Sequence, residues 1–145
     1  MGTGNKINKV SGTLYEQIFI IECLKRELHP HPSIGDYLPH DLVVINSAGR
    51  SVRVQVKGTA SPHKNTAGSA DRYRITAKSK FGKVGENHPL DCTRVDVMAA
   101  YVQPFDVWYL IPCTSLTSMS VWLFPATEKS KGQYERYKEN WSLFR

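Results

Sequence analysis

Apolar and polar positions along the chain fall into two kinds of repeat. From about Thr13 to Leu28, Leu14, Ile18, Ile21, Leu24 and Leu28 recur at three- and four-residue spacing. That periodicity predicts a helix with these residues as its core stripe. Thr13 and Glu16 have the form of an N-cap and its box partner. His29-Pro30-His31-Pro32 then ends the helix in a turn. Residues 1–11 are polar and read as a short mobile lead-in.

Two strands follow, Asp41–Ile45 and Ser51–Gly58, on either side of Asn46-Ser47-Ala48-Gly49-Arg50. Val52, Val54 and Val56 alternate with Arg53, Gln55 and Lys57, so the valines face the core and the polar trio faces the other way. Opposed residues of antiparallel strands share a face. Asp41 therefore joins the polar trio only if it opposes Gln55. That register requires a three-residue loop, Ser47-Ala48-Gly49, with Gly49 in the left-handed conformation of a bulge.

Small and polar residues make a loop of 59–71, and a second basic loop spans 79–89. Alternation returns over Arg72–Lys78, and apolar strands are expected at Val95–Val102, Val107–Pro112 and Ser120–Phe124. Over Lys131–Phe144, Tyr134, Tyr137, Trp141 and Phe144 share one face of an expected helix. The order of helix, strands and helix implies an α/β fold: one mixed β-sheet of four to five strands flanked by helices. A length of 145 residues suits a single domain, 1–145.

The net charge of +6 is concentrated. Arg50, Arg53, Lys57, Lys64, Arg72, Arg74, Lys78, Lys80 and Lys83 stand against the single acid Asp71 in that stretch. A basic block carrying strands suits a polyanion, above all nucleic acid, and otherwise makes a solvated basic face. No apolar run approaches the roughly 18 residues of a membrane span. The start of the chain lacks the apolar core of a secretion signal, which makes the expected location cytoplasmic, beside DNA, in a cell or a phage-infected one. Cys23, Cys92 and Cys113 are odd in number and widely spaced, so they are expected as reduced, buried small hydrophobes. The histidines show no metal-ligand spacing, and there is no GxSxG, Walker loop or HExxH.

The chemistry lies in Asp41 and in Gln55-Val56-Lys57. Singly, Asp41 suits a strand end, and Gln55 and Lys57 suit the wet face of an edge strand. Jointly they place a carboxylate, an amide and an ammonium on one hairpin, beside a basic block. Carboxylate and carbonyl oxygens hold hard divalent cations, and a lysine can orient a water or a phosphate oxygen. Glu16 lies off the expected core stripe near Phe19, Ile20 and Cys23, where a carboxylate needs a cation or hydrogen bonds.

Glu16, Pro39-His40-Asp41 and Gln55-Val56-Lys57 resemble the motifs of the PD-(D/E)XK nuclease superfamily. The likeness is to its Holliday-junction resolvases and small intron-encoded endonucleases, and it implies a restriction-endonuclease-like fold. It also implies catalytic roles for Asp41, Gln55, Lys57 and Glu16. The resemblance gives Mg²⁺ as cofactor, with Mn²⁺ as substitute, held by Glu16, Asp41, Gln55 and the Val56 carbonyl. Two departures stand out: His40 separates the usual Pro-Asp pair, and Gln55 offers a neutral oxygen where a carboxylate is usual. The second weakens metal binding or favours one ion.

The expected activity is metal-dependent hydrolysis of DNA phosphodiesters. Arg53, Lys64, Arg72, Arg74, Lys78, Lys80 and Lys83 are the expected DNA contacts. With no recognition domain evident in the sequence, branched DNA such as a Holliday junction is the expected substrate, cut by a homodimer. The late strands or the aromatic C-terminal face are the expected subunit contact. Other readings are a sequence-specific homing or restriction-type enzyme, and a catalytically silent DNA-binding module of the same fold.

Overall fold

A helix at Gly2–Lys25 (α1) leads into an edge strand at His29–Pro32 (β1) through a left-handed residue, Glu27, with φ 58°. Leu28 N–H reaches the Cys23 carbonyl at 2.9 Å and Glu27 N–H reaches the Leu24 carbonyl at 3.1 Å. This paired closure is how a helix satisfies its last carbonyls while reversing the chain. The computed structural model describes residues 2–35, 37–63, 72–79, 88–127 and 132–145, with side chains from Val10 onward.

The remaining strands are Leu42–Ile45 (β2), Ser51–Thr59 (β3), Tyr73–Thr76 (β4), Val97–Val102 (β5), Val107–Pro112 (β6) and Ser120–Leu123 (β7). Five form a mixed sheet in the order β1-β2-β3-β5-β6, in which only β3 and β5 run parallel. β4 and β7 make a separate antiparallel ribbon. The fold class is thus the α/β, restriction-endonuclease-like one, with one long helix on one face of the sheet and the ribbon on the other.

Each face has its own core. Against α1 pack Leu42, Val44, Val52, Val54, Val56, Val97, Ala99, Trp108 and Leu110. Under the ribbon lie Met98, Ala100, Val102, Tyr109 and Ile111, facing Tyr73, Ile75, Val121 and Leu123. β5 and β6, buried on both sides, are correspondingly continuous apolar runs.

Several expectations are corrected here. The helix begins at Gly2, so residues 2–11 are helical and Thr13 lies inside it rather than at an N-cap. Its buried residues are Tyr15, Phe19 and Cys23; Leu14, Ile21 and Leu24 of the expected core stripe are exposed. His29–Pro32 is a strand and not a turn. Its prolines are tolerated because β1 is an edge strand, with no neighbour awaiting their missing N–H groups.

The C-terminal segment is not a helix. It holds two 3-10 turns, Glu135–Tyr137 and Trp141–Phe144, separated by Glu139 at φ 52° and by a bridge from Lys138 to Tyr109. The break sends its aromatics to opposite faces of the sheet, Tyr134 to the ribbon side and Trp141 with Phe144 to the helix side. Tyr134, Trp141 and Phe144, like β5 and most of β6, are therefore interior to the monomer. Cys92 and Cys113 form a disulfide, contrary to the expectation of free thiols, and only Cys23 is free. Burial pushes the Cys23 thiol up to about 12, so it is unreactive at neutral pH. Among the described residues, no helix is long and apolar enough to cross a membrane.

The β2–β3 turn has the expected form. Asn46 N–H bonds the Arg50 carbonyl at 3.0 Å, leaving Ser47-Ala48-Gly49 as the loop, and Gly49 adopts φ 83°. The Asn46 side chain braces it, its Oδ1 accepting from Ala48 and Arg50 N–H at 3.0 and 2.9 Å. Nothing lies within 4 Å of where a Gly49 Cβ would sit. Gly49→Ala therefore carries only the left-handed backbone penalty, an expected loss of about 1–2 kcal/mol in urea unfolding. Unchanged stability would show that the turn does not need glycine.

Candidate active site

The turn sets the register, and the register builds the site. Leu42 pairs with Val54 and Ile45 with Ser51, and the ladder stops there: Asp41 lies just before β2 instead of pairing with Gln55 as the expected register had it. Gln55 and Lys57 alternate with the valines and so point to the ribbon side of β3, where Gln55 lies beside Met98 of β5.

Asp41 is buried and held from both sides. Its N–H donates to the Val54 carbonyl at 2.8 Å, and its carbonyl accepts from Ser33 N–H at 3.0 Å. Its Oδ2 accepts from Val56 N–H at 2.7 Å. In a continued β2 that N–H would pair with residue 40. The carboxylate instead takes the ladder position, which ends the strand and fixes the acid's orientation.

Gln55 is fully buried, and neither its Oε1 nor its Nε2 has a hydrogen-bond partner. An unpaired buried amide is costly and rare. An amide oxygen has the chemistry of a ligand to a hard cation. Of the expected donor set, the structure brings Asp41, Gln55 and the Val56 backbone to one end of the hairpin, while Glu16 is carried by α1, which packs against the valine face on the other side of the sheet. Among the described residues no cluster of three or more His, Cys, Asp or Glu side chains could hold a metal.

Glu16 comes from α1, half-buried, on the turn of helix next to Tyr15. A Cβ at Gly58 would lie only 2.3 Å from the Tyr15 ring, so glycine at this position lets α1 approach the end of β3 directly behind Lys57. A cleft of about 560 Å³ opens there, lined by Ser11, Gly12 and Tyr15 of the helix and by Lys57, Thr59 and Ser61. Sequence reasoning missed this approach, for which the glycine directly after the motif lysine was the one available signal.

The basic residues divide. Arg53 is engaged within the fold: Nε and Nη2 bond the Asp96 carboxylate at 3.0 Å each, and Nη1 bonds the Thr93 carbonyl at 2.8 Å. Hydrogen bonds from Arg53 hold the Asp96 carboxyl below the usual carboxylate range. Arg72 stacks 4.0 Å from the Trp122 ring centroid. Arg74 and Lys78 are exposed. Lys64, Lys80 and Lys83 lie outside the described residues, as do most of the two basic loops.

The profile of the PD-(D/E)XK endonuclease family matches residues 7–144. No curated protein matches the chain. Among solved structures, a bacterial homing endonuclease superimposes with a TM-score of 0.68 at 24% identity, over 93% of this chain and 88% of the other. At that identity the likeness is one of fold.

The orphaned amide yields a stability test. Gln55→Met keeps the volume but removes both unpaired groups, so the metal-free protein is expected to gain about 1–3 kcal/mol in thermal or urea unfolding. A loss of stability would show that the Gln55 amide is satisfied in solution.

Proposed function

We propose that this chain, which belongs to the PD-(D/E)XK endonuclease family, is a Mg²⁺-dependent enzyme that cuts duplex DNA in the manner of a homing endonuclease. The observation that carries the metal reading is Gln55, whose buried amide has no partner among the described residues and directly precedes the Val56 N–H that holds Asp41.

In this reading Asp41, Glu16, the Gln55 side-chain oxygen and the Val56 carbonyl hold a single Mg²⁺, which Mn²⁺ can replace. The chemistry such an ion supplies is Lewis acidity, acidifying a water and offsetting charge on the scissile phosphate. Asp41 is kept in the orientation required by the Val56 N–H, so its free energy of ordering is met on folding. Lys57 directs its ammonium group to the attacking water or to a phosphate oxygen. Arg74 and Lys78, exposed on and beside β4, track the flanking backbone and make affinity fall with salt.

Homing-type cutting is favoured over junction resolution by one comparison. A structure that this chain resembles along nearly its whole length is a homing endonuclease, which supports the reading of base sequence by a fold of this size. Junction cutting remains the second substrate class, and two sites acting on two strands require a homodimer in either case.

Asp41→Asn and Lys57→Ala are each expected to lower cleavage by at least about 10²-fold, assayed in Mg²⁺ on duplex and four-way-junction substrates. Cutting at the wild-type rate by both variants would refute the site. Preference for the junction over every duplex in a random-sequence library would replace the homing reading with the resolvase one.

A further inference from the structure

α1 has a second apolar stripe that its own sheet does not use. Val10, Leu14, Ile21 and Leu24 are 62%, 44%, 52% and 59% exposed. Single exposed leucines are ordinary, but these residues are ordered. With Gln17 between them they run at spacings of four, three, four and three along the helix. That is the seven-residue repeat by which two helices wind around one another. At about 100° per residue the stripe lies diametrically opposite Tyr15, Phe19 and Cys23, which bury against the sheet. Ile18 and Ile20, half-buried, border it on either side.

Three features identify what covers it. The spacing is that of helix against helix rather than helix against sheet. The seam from Val10 to Leu24 is roughly 22 Å long and 10 Å wide. It therefore offers about 200 Å² per copy, below the roughly 1,000 Å² total of a stable interface and suited only to a weak, reversible dimer. Finally, the stripe holds one polar residue, Gln17, near its centre. In a parallel two-fold pair each residue meets itself, so Gln17 faces Gln17 of the other copy, and each amide can donate to and accept from its twin. A lone polar residue in such a seam fixes orientation and register.

We propose that α1 pairs in parallel with α1 of a second copy of this chain through Val10, Leu14, Gln17, Ile21 and Leu24. The parallel arrangement has a consequence for cutting, which rests on the nuclease reading above. The N-terminal halves of both helices, carrying Glu16 and bordering the cleft at Lys57, emerge at the same end of the dimer. Both sites then address one duplex, whereas antiparallel pairing would point them apart.

Sedimentation equilibrium from about 1 to 100 μM spans the affinity expected of so small an interface. The wild type is expected to dimerise, and Leu14→Lys/Ile21→Lys to remain monomeric with an unchanged circular dichroism spectrum. Should that double variant fail to fold, Leu24→Gln is expected to weaken the dimer at least tenfold. Gln17→Cys is expected to form a covalent dimer under mild oxidation, while Glu27→Cys, off the seam, does not. A wild type that stays monomeric, or variants that dimerise as the wild type does, would overturn the pairing. Failure of Gln17→Cys to cross-link would overturn its parallel sense. None of these measurements needs DNA or metal. An inactive dimer would count against the nuclease reading alone, and an active wild type whose α1 variants dimerise equally well against the pairing alone.

Discussion

Asp41 meets the Val56 N–H because the chain between them turns in three residues: that turn sets Leu42 against Val54 and leaves Asp41 at the end of the ladder. Side chains alternate strictly along a strand, so one residue more or less in that turn would move the carboxylate off that N–H. Two residues hold the count. Gly49 accepts the left-handed backbone at φ 83°, and Asn46 clamps the loop through its Oδ1. The same Asn46 donates Nδ2 to the Phe144 carbonyl at 3.0 Å, which ties the turn to the C-terminal end of the chain. The site therefore depends on a turn at the far end of the hairpin from Asp41, and through Asn46 on a residue 98 positions away in sequence.

Within that frame the site works against the fold. The unpaired amide of Gln55 costs on the order of 1–3 kcal/mol, a large part of the margin by which a domain of this size stays folded. Methionine would fill the same space without that cost. Among the described residues the amide has no hydrogen-bond partner, and in the proposed reading an ion or its bound water supplies one. The neutral amide also costs less to bury without an ion than a carboxylate would, because an ionised group in that position carries a far larger desolvation penalty. In the proposed reading, weaker attraction for the metal and a stable metal-free state follow from the same neutral amide.

The parts legible from sequence were those in which a side chain's burial follows from a short-range period. The hairpin, its turn, β6 to the residue and the mixed sheet all follow from alternation and from glycine. What escaped was set by partners distant in sequence. The C-terminal aromatics have helical spacing, yet Lys138 bridges to Tyr109 and the ring faces diverge to two cores. The prolines of β1 suggested a turn because local rules do not say that a strand lies at an edge. The spacing of Cys92 and Cys113 gave no hint of their bond, because β5 and β6 between them close the distance. Arg53 carried the same sequence signal as Arg74, and only the fold shows that Asp96 and Thr93 already engage it.

The first helix fails in a more instructive way. Of the expected core stripe, Leu28 and Ile18 do reach the core while Leu14, Ile21 and Leu24 are exposed, and the core takes Tyr15, Phe19 and Cys23 from the other side of the helix. Periodicity reports that a helix has an apolar face, and nothing in the period says what covers it. The stripe against the sheet can be irregular, since a glycine at Gly58 and the large rings of Phe19, Trp108 and Trp141 adapt to one another. The proposed outward seam would have no such latitude, since a surface that matches a copy of itself has to repeat. Leu14, Ile21 and Leu24 belong to both repeats, so a period of three and four along this helix cannot by itself separate the face turned to the sheet from one turned to a partner.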